Sequence, residues 1–171
     1  MSTTDHLAAP EAHGYQVPRL LRTADVLCVD GRRYRGRVFL PAAALSHAGP
    51  MRVDEWLEEP APFFPFLPDG EGRPVILNKD QVVVLTVPGA GDLDDGDMPP
   101  SAPRQLVQVE CGPHLVTGEV VIDMPADHLR VLDLLNRAGS FLEVREDEQR
   151  HFVRKSRITR VSERATRPRP A

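Results

Sequence analysis

Apolar and polar positions in this chain alternate over short runs, the period of half-buried strands. Ala24–Val29 and Tyr34–Leu40 flank Asp30-Gly31, a turn pair in which glycine tolerates positive φ, so a hairpin is predicted. Val26, Val38 and Leu40 alternate with polar positions around Arg35 and Arg37, and Pro41 ends the run. Gly36 inside the second run marks a bulge or a tight barrel bend. The period changes at Arg52–Glu58, where Val53, Trp56 and Leu57 fall on one helical face. Phe63–Leu67 is an apolar run broken by Pro65, which has no N–H to donate, so this strand is expected at an edge or irregular. After the Gly-rich turn Asp69–Arg73 comes Pro74–Val87, with two β-branched runs around Asn78-Lys79-Asp80. Stiff β-branched residues suit a pleated surface and Asn and Asp suit turns, so two short strands joined by a sharp bend are predicted.

The same plan is readable a second time. Leu106–Cys111, the turn Gly112-Pro113 and Leu115–Asp123 repeat the hairpin, with Gly118 inside and Pro125 as the stop. Ala126–Ala138 is predicted as a helix longer than the first, capped by Asp127, with Leu129, Leu132 and Leu134 or Leu135 apolar and Gly139 at its end. Phe141–Arg145, the polar turn Glu146–Gln149 and the bent pair Arg150–Val161 complete it. Gly36-Arg37-Val38 matches Gly118-Glu119-Val120. Arg52-Val53 matches Arg130-Val131, and Trp56-Leu57 matches Leu134-Leu135. Phe63 matches Phe141, and Lys79 and Val82 match Lys155 and Ile158. The order and spacing point to an internal repeat. The domains expected are an arm over 1–22, a first unit over 23–87, a Pro/Gly/Asp-rich linker over 88–104, a second unit over 105–161 and a basic Pro/Arg-rich tail over 162–171.

Five short strands per unit, a glycine in the second and a bent closing pair resemble the Sm-like small β-barrel. The stretch Ile76-Leu77-Asn78-Lys79-Asp80-Gln81-Val82-Val83 is similar to that family's second signature, a tight turn joining strands four and five. The resemblance implies a mainly β (α+β) fold of two tandem Sm-like barrels, each of about five strands plus one short helix, as in uncharacterised bacterial proteins with tandem copies. RNA-binding members carry Arg/Lys-Gly in this turn and an Asp/Asn pair after strand two. Here the turns read Asn78-Lys79 and Arg154-Lys155, and a helix replaces the short loop. The fold carries over more directly than RNA binding does.

Composition adds little that is specific. Of 171 residues, 41% are apolar and 5% aromatic, so the core must rest on Val, Leu and Ile. Net charge is −4, which makes no general case for nucleic acid. Nine basic residues against four acidic ones from Arg145 to Ala171 nevertheless make the C-terminal part basic. Two cysteines, Cys28 and Cys111, lie in strand-like runs, as buried free thiols of a reducing compartment do. Met1–Gly14 lacks a secretory pattern and no apolar run reaches membrane-spanning length, so a cytoplasmic location is expected. Arginine outnumbers lysine, a compositional hint of a bacterial source.

Candidate chemistry is sparse. The six histidines have no zinc or catalytic spacing, Cys111 and His114 being the closest pair. Asp92–Asp97 lacks the ligand order and closing Glu of a calcium loop. No catalytic, metal or cofactor-binding residue is assigned, and no enzyme activity is expected. Asn78, Lys79, Arg154, Lys155 and Arg157, at equivalent bends, are candidate ligand or phosphate contacts. Trp56, Phe63, Phe64 and Phe66 read as either core or a sticky surface, core being favoured because Trp56 is on the helix's apolar face; Phe64 and Phe66, beside Pro62 and Pro65, are the candidate partner surface if they face outward. The expected role is a non-catalytic binding or assembly module with protein partners, including further copies of the chain. The alternative is RNA or single-stranded nucleic-acid binding through the basic C-terminal face.

Overall fold

Among the described residues, ten strands pair into one open antiparallel sheet carrying two short helices. The structure, a computed structural model, describes residues 19–44, 46–89, 102–123 and 130–164. Asp92–Asp97, Asp127 and Leu129 lie outside the described residues, as do most of the expected arm, linker and tail. No helix among the described residues is long and apolar enough to cross a membrane.

The first half holds β1 (Arg19–Cys28), β2 (Arg33–Pro41), α1 (Val53–Glu58), β3 (Phe63–Pro68), β4 (Val75–Asn78) and β5 (Val82–Pro88). The second holds β6 (Arg104–Cys111), β7 (His114–Val121), α2 (Val131–Asn136), β8 (Phe141–Glu146), β9 (Gln149–Arg154) and β10 (Arg160–Glu163). The sheet order is β10-β6-β7-β8-β9-β5-β1-β2-β3-β4. Each half therefore runs fifth, first, second, third, fourth, and the halves meet where β9 pairs with β5. Closed, separate barrels are not formed: the hydrogen-bond ladder continues through this joint.

Two hydrophobic cores form, and the central strands feed both. Ala24, Val26 and Cys28 of β1 and Val82, Leu85 and Val87 of β5 enter the first, with Trp56, Leu57, Phe64 and Phe66. Leu27, Val83 and Val84 enter the second, with residues of β6 to β9. Successive strand side chains point to opposite faces, so a strand buried on both faces must be apolar without alternation. That is why Val82-Val83-Val84-Leu85 is an unbroken apolar run.

The two interior glycines permit close strand crossings. A Cβ on Gly36 would lie 2.1 Å from the Leu67 carbonyl oxygen, and one on Gly118 would lie 2.4 Å from that of Arg145. The bends after β4 and β9 are single 3-10 turns, Lys79–Gln81 and Lys155–Arg157.

Some expectations are corrected. Pro65 does not put β3 at an edge: β3 lies between β2 and β4. Its ladder to β2 covers Phe66, Leu67 and Pro68 only, so Pro65 sits where no donor to β2 is needed. The described second helix has six residues, like the first, because Arg130 is extended at φ −115° and the helix begins after it. Strand β1 starts at Arg19, inside the expected arm.

Candidate functional site

The joint between the halves gathers most of the candidate polar residues. It is built on β5 and β9, paired antiparallel from Val84 opposite Val153 to Pro88 opposite Gln149. Leu85 faces Phe152 in this register, and both are fully buried.

At one end of the joint sits the Lys79–Gln81 turn. Asn78 holds its start, the side-chain oxygen accepting from the Asp80 N–H at 2.8 Å. Lys79 turns inward: Nζ donates to the carbonyls of Trp56 at 2.8 Å and Glu59 at 3.0 Å, and lies 5.3 Å from the Trp56 ring centre. A helix leaves its last carbonyls without backbone partners, and a cation there also meets the negative end of the helix dipole. Burial pushes the Lys79 pKa down, while Glu59 and Glu58 hold it up. Lys155 does the same for α2, donating to Leu134 at 3.2 Å and Arg137 at 2.8 Å. Both lysines thus cap helices.

The arginines tie the halves together. Arg154 donates to the Lys79 carbonyl at 2.9 Å and to the Asp80 carboxylate, and Arg157 donates to the Asp80 carbonyl at 2.9 Å. Asn78, Lys79, Arg154 and Arg157 therefore meet around Asp80, whereas the Lys155 ammonium is directed to α2. From the first half, Glu58 accepts the Ser140 N–H at 2.7 Å and the Phe141 N–H at 3.0 Å. Phe141 is further covered by Arg154, 5.3 Å from its ring centre.

Beside the joint runs a groove of about 580 Å³ between α1 and the outer face of β8 and β9, its walls including Arg52, Glu55, Arg137, Phe141, Arg145 and Arg150. Glu143 lies in it, accepting from Arg145 Nε at 2.7 Å and Arg150 Nε at 2.8 Å. Burial alone would raise the Glu143 pKa, but the hydrogen bond and charge of Arg150, with Arg145, hold it below the usual carboxylate range. On the other face, His151 Nδ1 is 2.9 Å from the Thr86 hydroxyl across the β5–β9 pairing, and its Nε2 is 3.4 Å from Glu146.

Phe64 and Phe66 are corrected as a partner surface. Both are buried in the first core, Phe64 edge-on to Trp56, because alternation along β3 turns them inward. The exposed aromatic on that strand is Phe63. Cys28 and Cys111 are free and buried, and burial raises both thiol pKa values, with Asp30 adding to that of Cys28. A thiol kept protonated is a poor nucleophile or metal ligand. Among the described residues no three His, Cys, Asp or Glu side chains gather as a metal site.

Glu58, Asp80, Glu143, Arg150 and His151 are not among the candidate contacts that the sequence singles out, although Asp80 stands in the predicted bend and Arg150 in the basic C-terminal stretch. The signal was present for Glu143, a charge between the core positions Leu142 and Val144. Its partners come from across a hairpin and could not be paired by spacing. Comparison with protein-family models, with curated proteins and with solved structures finds no match to this chain.

Proposed function

We propose that this chain is a non-catalytic assembly module made from a duplicated five-stranded unit of the Sm-like small-barrel type. The observation that carries the reading is the β5–β9 joint: the fourth strand of one half completes the fifth strand of the other. Support for the duplication comes from the shared strand order, the paired glycines at Gly36 and Gly118 and the paired helix-capping lysines at Lys79 and Lys155. The polar groups at the joint connect one half to the other, which is the work of a scaffold. Among the described residues of the basic C-terminal stretch, Arg150 is engaged by Glu143, Arg154 and Arg157 by Asp80 and Arg160 by Glu110. This favours protein assembly over a nucleic-acid surface.

Size-exclusion chromatography with light scattering, read at two wavelengths on freshly purified protein, tests the reading. A mass above one chain with a protein-like absorbance ratio is expected. A single chain at every concentration overturns assembly. Co-eluting nucleic acid that salt strips away, as counterion release demands, transfers the role to the basic face.

A further inference from the structure

One polar row crosses four neighbouring strands of the sheet. Arg35 lies opposite Asp25, Asp25 opposite Thr86, and Thr86 opposite His151. Two residues along on the same face, Leu27, Val84 and Val153 are buried in the second core. Against these rows, beside the start of β7, lies a cavity of about 160 Å³, room for about five waters at roughly 30 Å³ each. Both halves wall it, with Arg33 and Arg35 from β2, Thr86 from β5, His114 from β7 and His151 from β9. Leu27, Val84 and Val116 belong to the second core and close its inner side, so a ligand enters from the rim.

The polar groups on this cavity are mostly donors. A guanidinium has N–H groups and no acceptor. At the rim Asp25 is 3.5 Å from Arg35, and both side chains are more than half exposed, a loose pair in water. Asp30 is held by Arg32, and Arg33 has no carboxylate partner among the described residues. His151, at the inner end of the row, is 8% exposed, and its Nε2 makes no hydrogen bond among the described residues. Glu146 stands 3.4 Å from that nitrogen, beyond the distance of about 3.0 Å of a good N–H···O bond.

We propose that this cavity binds a phosphate dianion, free or at the end of a small molecule. The site stands whether or not the chain assembles. Charge-assisted bonds from Arg33 and Arg35 supply most of the attraction, and donors set on four strands surround a tetrahedral anion better than a planar carboxylate. Because only the rim is open, the phosphate carries one substituent at most, which sets aside the phosphodiester of a nucleic acid. The anion also completes the polar row. Burial lowers the His151 pKa, so the ring without ligand is neutral at neutral pH. Glu146 lies beside its Nε2, and Asp25, Arg33, Arg35 and His114 line the cavity with it. A dianion among these groups offsets the two arginines and draws a proton from solvent onto the ring. Nδ1–H then donates to the Thr86 oxygen, 2.9 Å away, and Nε2–H to Glu146, which leaves the Thr86 hydroxyl to donate to the anion.

The test is isothermal titration calorimetry of the full chain with inorganic phosphate at about pH 7.5. One phosphate per chain is expected, with Kd below about 1 mM and a heat that varies with the buffer's ionisation enthalpy in the sense of proton uptake. Arg33→Gln, at an exposed position, and the near-isosteric Thr86→Val should keep the fold by circular dichroism and each weaken binding about tenfold. Arg37→Gln makes the same charge change outside the cavity and should leave binding as it is. Methyl phosphate binding as well as phosphate assigns the site to the end of a small molecule, and methyl phosphate failing where phosphate binds assigns it to the free ion. No saturation by phosphate, or equal losses in Arg33→Gln and Arg37→Gln, overturns the site. Dimethyl phosphate or a single-stranded oligonucleotide binding as tightly as phosphate also overturns it, in favour of a phosphodiester surface.

Discussion

His151 shows how the joint ties protonation to stability. It is buried between Thr86 and Glu146. Burial lowers its pKa, and the attraction of Glu146 offsets this only in part. The unfolded chain takes up a proton near the ordinary value of about 6.5, where the folded chain does not. More protons on the unfolded state means stability that rises with pH. The contribution of His151 is therefore full above about pH 6.5 and is lost as pH falls through the folded pKa. His47 works in the opposite sense, since its hydrogen bond to Glu55 raises its pKa and its contribution is lost as pH rises through that raised value. Urea midpoints followed by Trp56 emission between pH 7.5 and 5.5 should fall less on acidification in His151→Gln than in the wild type. Equal losses would remove His151 as the source.

At the level of elements, the two interior glycines should behave as a pair. No side chain fits where the Leu67 carbonyl closes on Gly36, or where the Arg145 carbonyl closes on Gly118. Gly36→Ala and Gly118→Ala should each cost about 2–3 kcal/mol in urea unfolding, as overpacking does. Gly72→Ala has open space and should change stability by less than about 1 kcal/mol. A neutral Gly36→Ala would mean that β2 and β3 do not cross so closely. These glycines were legible in the sequence, as were the hairpins, the first helix and the bends, because each follows from a local period or a turn residue. The place of Pro65 was not legible, since it depends on where the β2 ladder stops. Nor was the inward direction of Phe64 and Phe66: flanking prolines suggested an outward strand, and only the pairing with β2 and β4 fixes the face. The candidate contacts at the bends were found by position, but the helix carbonyls that receive Lys79 and Lys155 are distant in sequence.

For the whole molecule, the decisive feature is that neither core belongs to one half alone. Phe152 of β9 is buried in the first core, while Leu27, Val83 and Val84 of the first half are buried in the second. Separating the halves would expose apolar side chains on both sides of the joint and unpair the backbone groups that β5 and β9 turn to each other, each a cost in its own right. Glu58 would lose the Ser140 and Phe141 N–H groups, and Asp80 would lose Arg154. A chain cut within 90–101 should therefore hold together. Expressed as two pieces, 1–95 and 96–171, the halves should co-purify in equal amounts and give one cooperative unfolding transition. Two pieces that purify apart, each with its own transition, would show that the cores are separable and that the continuous sheet is not the unit of stability. The same shared burial explains why β5 is apolar on both faces. A strand that closes its own half and also receives the next must present a hydrophobic side chain in each direction, and Val82 to Leu85 do so.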